Sequence, residues 1–318
     1  LTRGALCPKG NTVTDIIYHR DRLTLPLKKD NGTWTEISWE EAIDIVAGKF
    51  KQLRDTYGVD AIGFISSAKC TNEENYLLAK LARLFGTNNV DNSTRLYHAP
   101  TVAGLIQVFG SGAMTNPIAD LVNSRCIFII GSNLAENHPI ISRWIWEARE
   151  KGAKVIVADP RYTPTAWMSD VFLQLRPGTD SALINGVLHI IIKENLHNRE
   201  FIINRTEGFE DLWPLVSSYS PEKVANITGV PRELLQRAAR IYAKAEASAI
   251  IYSMGITQHT TGSDNVVNLA NLALICGQVG RSGTGLFPLR EQSNAQGACD
   301  MGALPDFLPG YIAVTNEA

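Results

Sequence analysis

Ala42, Val46, Phe50, Leu53 and Tyr57 recur every three or four residues, the spacing that lines one face of an α-helix. Ser38-Trp39-Glu40-Glu41 ahead of them reads as a capping box, with Glu41 at the third helical position, and Gly58 as the stop. Ala61 to Ser66 is a short apolar run of strand type, and Asn72 to Phe85 a second helix closed by Gly86. The alternation then repeats. Strands are predicted at Arg125 to Ile130, Lys154 to Ala158, Val171 to Leu175 and Ala249 to Ser253. Helices are predicted at Pro139 to Lys151, Ser181 to Glu194, Pro231 to Ala245 and Ser263 to Cys276. Residues 1–37 read as turns and short strands. The stretch from Gly277 to Gly302 has six glycines and no helical period, which predicts a long irregular loop of the kind that lines a site. Strands alternating with helices imply an α/β fold, two αβα domains with mostly parallel sheets.

Composition narrows the partners. The chain has 318 residues, 45% hydrophobic and 19% charged, ordinary for a globular protein and long enough for about two domains. Net charge is −2, and acidic and basic residues alternate rather than form runs, so no nucleic-acid partner is indicated. No apolar stretch approaches the roughly 18 residues of a membrane span. Five widely spaced cysteines, an odd number, argue against a disulfide framework and for a reducing, cytoplasmic setting. The sequence starts at Leu1 without a methionine, so a signal peptide or an upstream cysteine motif would lie outside it.

In open parallel sheets, ligands bind where strands end and helices begin. Three such ends carry suitable chemistry. Gly131-Ser132-Asn133 offers backbone N–H groups and an amide, with Glu136 and His138 just beyond. Asp159-Pro160-Arg161 places a carboxylate that can accept both hydroxyls of a ribose. Arg176-Pro177-Gly178-Thr179-Asp180 ends on a carboxylate able to accept two N–H bonds from a guanine edge. Each alone reads more readily as a helix cap; three together, each behind a buried strand, favour a binding site. No G-x-G-x-x-G run is present, so a nicotinamide cofactor is not indicated. Cys7, beside Lys9, is a lone thiol, and a four-cysteine iron–sulfur site needs three partners. Tyr97 and His98 have ordinary readings as a buried, satisfied phenol and a structural imidazole. Arg290 is either a surface charge or a clamp for a small carboxylate.

Longer motifs then point to a family. The run Arg95-Leu96-Tyr97-His98-Ala99-Pro100-Thr101-Val102-Ala103-Gly104-Leu105, followed by Phe109-Gly110-Ser111-Gly112-Ala113-Met114-Thr115-Asn116, resembles the active-site segment of formate dehydrogenase alpha subunits. Met254 to Asn265 and Pro288 to Gly302 are similar to the same family, within the bis-molybdopterin guanine dinucleotide oxidoreductases. The resemblance implies oxidation of formate to carbon dioxide, with two electrons passing to molybdenum or tungsten and on through a [4Fe–4S] cluster to an iron–sulfur or flavin subunit. It implies that Cys7 is the last of four cluster cysteines and that Lys9 lies between cluster and pterin. Gly131, Asn133, Glu136, His138, Asp159, Arg161, Gly178 and Asp180 would hold a guanosine end of the cofactor. Gln258, His259, Asn294 and Gln296 would line the pterin region, His98 would take the proton of formate, and Arg290 would hold its carboxylate.

The same resemblance implies a chain cut at both ends. Residues 1–25 would be a remnant of an iron–sulfur domain, 26–92 with 293–318 a partial first αβα domain, and 93–292 a second, dinucleotide-binding one. The other cluster cysteines and a C-terminal β-barrel would lie outside, so the fragment alone lacks part of the cofactor clamp. Two positions depart from the family: Ser293 stands where asparagine is usual, and Tyr97 where a cysteine or selenocysteine binds the metal. A phenolate is a harder donor than a thiolate. Tyr97 therefore keeps two alternatives open, an oxo-transfer oxidoreductase with an oxygen-ligated metal and a degenerate paralogue serving as an electron-transfer or assembly scaffold.

Overall fold

A computed structural model describes residues 2–315 in two compact units. One unit holds Leu6–Arg95 and the described residues from Gln292 onward; the other holds Leu96–Glu291 and residues 2–5.

The smaller unit opens with two helical turns, Pro8–Asn11 and Val13–Ile17, where the sequence suggested only turns and short strands. An antiparallel hairpin follows, β1 (Leu27–Asp30) with β2 (Thr33–Glu36). The helix Trp39–Tyr57 starts where predicted but with half of the predicted capping box: the Glu41 N–H donates to Ser38 Oγ at 3.1 Å. The reciprocal capping box appears one helix later. There the Thr71 N–H donates to Glu74 at 2.7 Å and the Glu74 N–H to Thr71 Oγ1 at 3.2 Å, opening Asn72–Phe85. Between these helices the strand β3 covers only Phe64–Ser66 and pairs in parallel with β4 (Val90–Asn92). Phe50, Phe64 and Phe85 meet edge to face at 5.9–6.2 Å and form the centre of this core.

The larger unit is built on five parallel strands: β5 (Cys126–Ile130), β6 (Lys154–Ala158), β7 (Val171–Leu173), β8 (Ser248–Tyr252) and β9 (Gly285–Pro288), in the order β7-β6-β5-β8-β9. Every residue of β5 and β8 is buried, as a sheet covered on both faces requires. The period of two assigns the faces. Phe128, Ile130, Ile156 and Tyr252 pack with the helices Asp180–Lys193, Arg232–Lys244 and Gly262–Ile275. Ile127, Ile129, Val155 and Val157 pack with Pro139–Glu150. The architecture is α/β with a parallel sheet between helical layers.

Two stretches differ from the sequence reading. Residues 277–302 are not one loop, since β9 and the short helix Ala295–Asp300 lie within them. Strand β9 is held by pairing with β8, a partner distant in sequence that local glycine content does not reveal. Three short helices, Arg199–Arg205, Phe209–Val216 and Pro221–Thr228, fill a segment to which no element was assigned. Among the described residues no helix is long and apolar enough to cross a membrane.

Candidate functional site

Strand order reverses at β5, whose neighbours β6 and β8 continue in opposite directions across the sheet. That reversal opens a crevice beyond the carboxyl ends of the strands, the general ligand position of such sheets. A cleft of about 450 Å³ occupies it, with Gly131, Asp159, Asp180, Gly255 and Glu291 each contributed after a different strand.

Its floor is two glycines. Gly131 has φ +58°, and the Gly255 N–H donates to its carbonyl at 3.0 Å. A Cβ on Gly131 would lie 2.7 Å from the Gly255 carbonyl carbon, and one on Gly255 would lie 2.6 Å from Gly131 Cα. Any side chain here would force the ends of β5 and β8 apart. Gly255→Ala is therefore expected to destabilise this unit by about 1–3 kcal/mol, the usual cost of overpacking. Thermal unfolding checks it, and an unchanged midpoint would show that the floor yields.

Two buried carboxylates stand on one side of this floor. Asp159 accepts the Arg161 N–H on Oδ1 at 2.8 Å, an Asx turn that fixes the carboxylate at the end of β6. Asp180 begins the helix Asp180–Lys193, and burial pushes its carboxyl above the usual range, with Asp159 adding to the shift and His259 opposing it. His259 Nε2 donates to the Gly255 carbonyl at 2.9 Å and lies 3.7 Å from Asp180 Oδ2. His259, placed by resemblance in the pterin region, thus lies in this cleft beside Asp180. The neighbouring Gln258 donates to the Leu96 carbonyl at 3.3 Å.

Asn133 is engaged at both ends of its amide. Nδ2 donates to Glu136 at 2.6 Å, and Oδ1 accepts the Thr165 hydroxyl at 2.8 Å. His138 caps the helix Pro139–Glu150 and lines the cleft with Gly178 and Arg161, both exposed at its rim.

His98 lies outside the cleft lining, fully buried. Its Nε2 sits 2.8 Å from the Leu289 carbonyl, which can only accept, so Nε2 carries the proton and Nδ1 accepts from the Thr101 hydroxyl at 3.0 Å. Burial pushes its pKa down to about 4, so the ring is neutral over the physiological range. The Ser253 hydroxyl donates to the same Leu289 carbonyl at 2.9 Å. Together they fix the end of β9 immediately before Arg290, whose Nη1 is buried without a hydrogen-bond partner. Tyr97 is buried as well, its ring edge-on to His98 at 5.7 Å and its carbonyl accepting from the Thr257 hydroxyl.

The remaining candidates lie in the smaller unit. Cys7 precedes the turn Pro8–Asn11, and the Gly10 N–H holds its thiol below the usual cysteine value; Lys9 is exposed. Among the described residues no group of three or more His, Cys, Asp or Glu side chains could hold a metal ion. Asn294 Nδ2 donates to the Cys70 carbonyl at 2.8 Å and to Asn72 at 3.0 Å, while Gln296 is exposed. Sequence reading missed Ser132, Gly255 and Glu291 as cleft residues. The first was legible only as part of a backbone turn, and the other two come from strand ends that only the fold brings to β5.

The sequence pattern of the molybdopterin oxidoreductases matches residues 22–317. The chain belongs to that family. The family implies a molybdopterin cofactor carrying molybdenum or tungsten. The chain is 51% identical over 99% of its length to F420-dependent formate dehydrogenase 1 subunit alpha of Methanococcus maripaludis, and 43% identical over 99% to formate dehydrogenase H of Escherichia coli. It covers 46% and 45% of those proteins, so it spans about half the length of the curated relatives it matches. Among solved structures, acetylene hydratase from Pelobacter acetylenicus superposes with a TM-score of 0.78 at 30% identity, over 89% of this chain and 39% of that one.

Proposed function

We propose that this chain is the core of a formate-oxidising molybdopterin enzyme and that its cleft holds the guanosine end of a bis-molybdopterin guanine dinucleotide. The observation that carries the reading is the cleft itself. A glycine floor admits a close backbone approach, and Asp159 and Asp180 present acceptors suited to a ribose and a guanine edge. These residues fit the group. When bound, the cofactor would supply a metal centre able to accept two electrons.

The chain's own residues supply the rest. Arg290 offers an unpartnered guanidinium nitrogen for the formate carboxylate. His98 is neutral, as a proton acceptor must be, and Nδ1 becomes available when the Thr101 hydroxyl turns away. Cys7 is assigned to a [4Fe–4S] cluster with three cysteines from the rest of the protein, and Lys9 to the electron path. An iron–sulfur or flavin subunit would be the partner that accepts the electrons. We assign a cytoplasmic setting, since five widely spaced cysteines, an odd number, suit a reducing compartment.

Tyr97 favours a second reading, a relative with an oxygen-ligated metal or a scaffold. The fold neighbour named for acetylene hydration shows that relatives also carry names other than formate dehydrogenase. Tyr97→Cys in the full-length, cofactor-loaded protein separates the readings. Formate-dependent reduction of an artificial dye is expected to rise several-fold, because a soft thiolate replaces a harder phenol. No turnover in either form at full metal content would favour the second reading. Turnover by the native protein without a gain would show that the phenol suffices.

A further inference from the structure

Another cavity, of about 170 Å³, lies wholly within the smaller unit and shares no residue with the cleft. One wall is the helix Asn72–Phe85, which presents Tyr76, Ala79, Lys80 and Arg83 three and four residues apart, along one face. Gly302, Leu308 and Pro309 supply the opposite wall. Gly302 has φ +76°, and a Cβ there would meet the Pro309 nitrogen at 2.7 Å, so this wall has no room to shift inward.

Arg83 brings a positive charge that the protein leaves without a counter-ion. Its Nη2 donates to the Leu304 carbonyl at 2.7 Å and its Nη1 to the Thr87 carbonyl at 3.3 Å, while Nε is buried without an acceptor. Those carbonyls accept hydrogen bonds but carry no net charge, and the nearby helix C-terminus offsets only part of it. Burial holds the guanidinium below the ordinary arginine value, and no acidic group among the described residues counters that shift. The exposed Lys80 adds a second cation, its ammonium 5.7 Å from the Tyr76 ring, and none of the lining residues is acidic. Arginine is seldom buried without a charge partner.

We propose that this cavity binds a small monocarboxylate with a short apolar tail, its oxygens on Arg83 and Lys80 and its tail against Ala79, Leu308 and Pro309. The two cations select an anion. The apolar walls disfavour a multiply charged one such as phosphate, whose desolvation they cannot offset. The volume, roughly that of five or six waters at about 30 Å³ each, admits a short aliphatic acid and excludes a nucleotide.

The probe is butyrate, titrated calorimetrically into the full-length protein, with butanol as the uncharged control. Butyrate is expected to bind saturably in the millimolar range, and butanol not to bind. Ala79→Leu fills the cavity without touching either cation and should abolish binding. Arg83→Gln should weaken it by roughly 10-fold or more, the range of a hydrogen bond to a charged group. Lys80→Met, at an exposed position, should weaken it by about 2-fold to 5-fold. Arg290→Ala should leave it unchanged, which separates this cavity from the arginine assigned to formate. Ala79→Leu and Lys80→Met keep the backbone contacts of Arg83, so they decide the matter even where Arg83→Gln fails to fold. No saturable binding of butyrate, binding that survives Ala79→Leu, or binding lost with Arg290→Ala would overturn the site. Equal binding of butanol, or equal competition by phosphate, would overturn the assignment to a monocarboxylate.

Discussion

Arg290→Ala in the full-length, cofactor-loaded protein is expected to lower kcat/KM for formate by about 100-fold or more. The guanidinium follows β9, and its Nη1 is buried without a partner. A small carboxylate satisfies that donor with a charge-assisted hydrogen bond and gains a fixed orientation. Removing one partner of a buried charged pair costs roughly 2–5 kcal/mol. Arg290→Lys keeps the charge but loses the planar fork, so it should recover only part of the rate. The presentation of Arg290 is itself supported, because His98 and Ser253 both donate to the Leu289 carbonyl. If His98 acts only through that support, His98→Ala in the Arg290→Ala background should cost little more. If it also accepts the proton of formate, a further loss of about 10²–10⁴-fold should remain. Unaltered formate kinetics in Arg290→Ala would remove this residue from the substrate site.

Asp180→Asn should make the cofactor-free protein more stable and poorer at its task. Burial raises the Asp180 carboxyl above the usual range, so the folded state holds its proton more tightly than the unfolded chain does. Stability from this group is therefore full below the unfolded value and declines as pH rises through the folded one. Asparagine cannot ionise, so the variant should lose that decline and unfold at a higher temperature at neutral pH. Its amide presents donors where a guanine edge requires acceptors. With two charged hydrogen bonds lost, each contributing roughly 1.5–3 kcal/mol, GDP affinity should fall by about 100-fold or more. Thermal unfolding at acidic and neutral pH, together with calorimetric titration of GDP, reads both effects. Undiminished GDP binding in the variant would exclude Asp180 as the guanine acceptor.

Asp180 also separates what is local in this protein from what is not. Strands and helices in both units could be read residue by residue where buried parallel strands are continuous apolar runs and amphipathic helices repeat every three or four residues. The helix Asn72–Phe85 and the strands Lys154–Ala158 and Cys126–Ile130 follow from such patterns, and so does the placing of Asp159 and Asp180 at strand ends. The family's motifs were equally visible, since they are contiguous.

Pairing across the sheet was not local. Strand β9 carries a glycine-rich flank that hides it, and pairing with β8 and two hydrogen bonds between Thr115 and Leu286 hold it in place. The order β7-β6-β5-β8-β9 decides that Gly131 meets Gly255, more than a hundred positions away, and that His259 faces Asp180. It also decides which polar groups remain free. Thr165 and Glu136 engage both ends of the Asn133 amide, while the Oγ of the adjacent Ser132 is left without a partner. A residue's type states what it can bond. Whether that capacity is already used depends on neighbours supplied by other strands, and the tertiary fold alone brings them together.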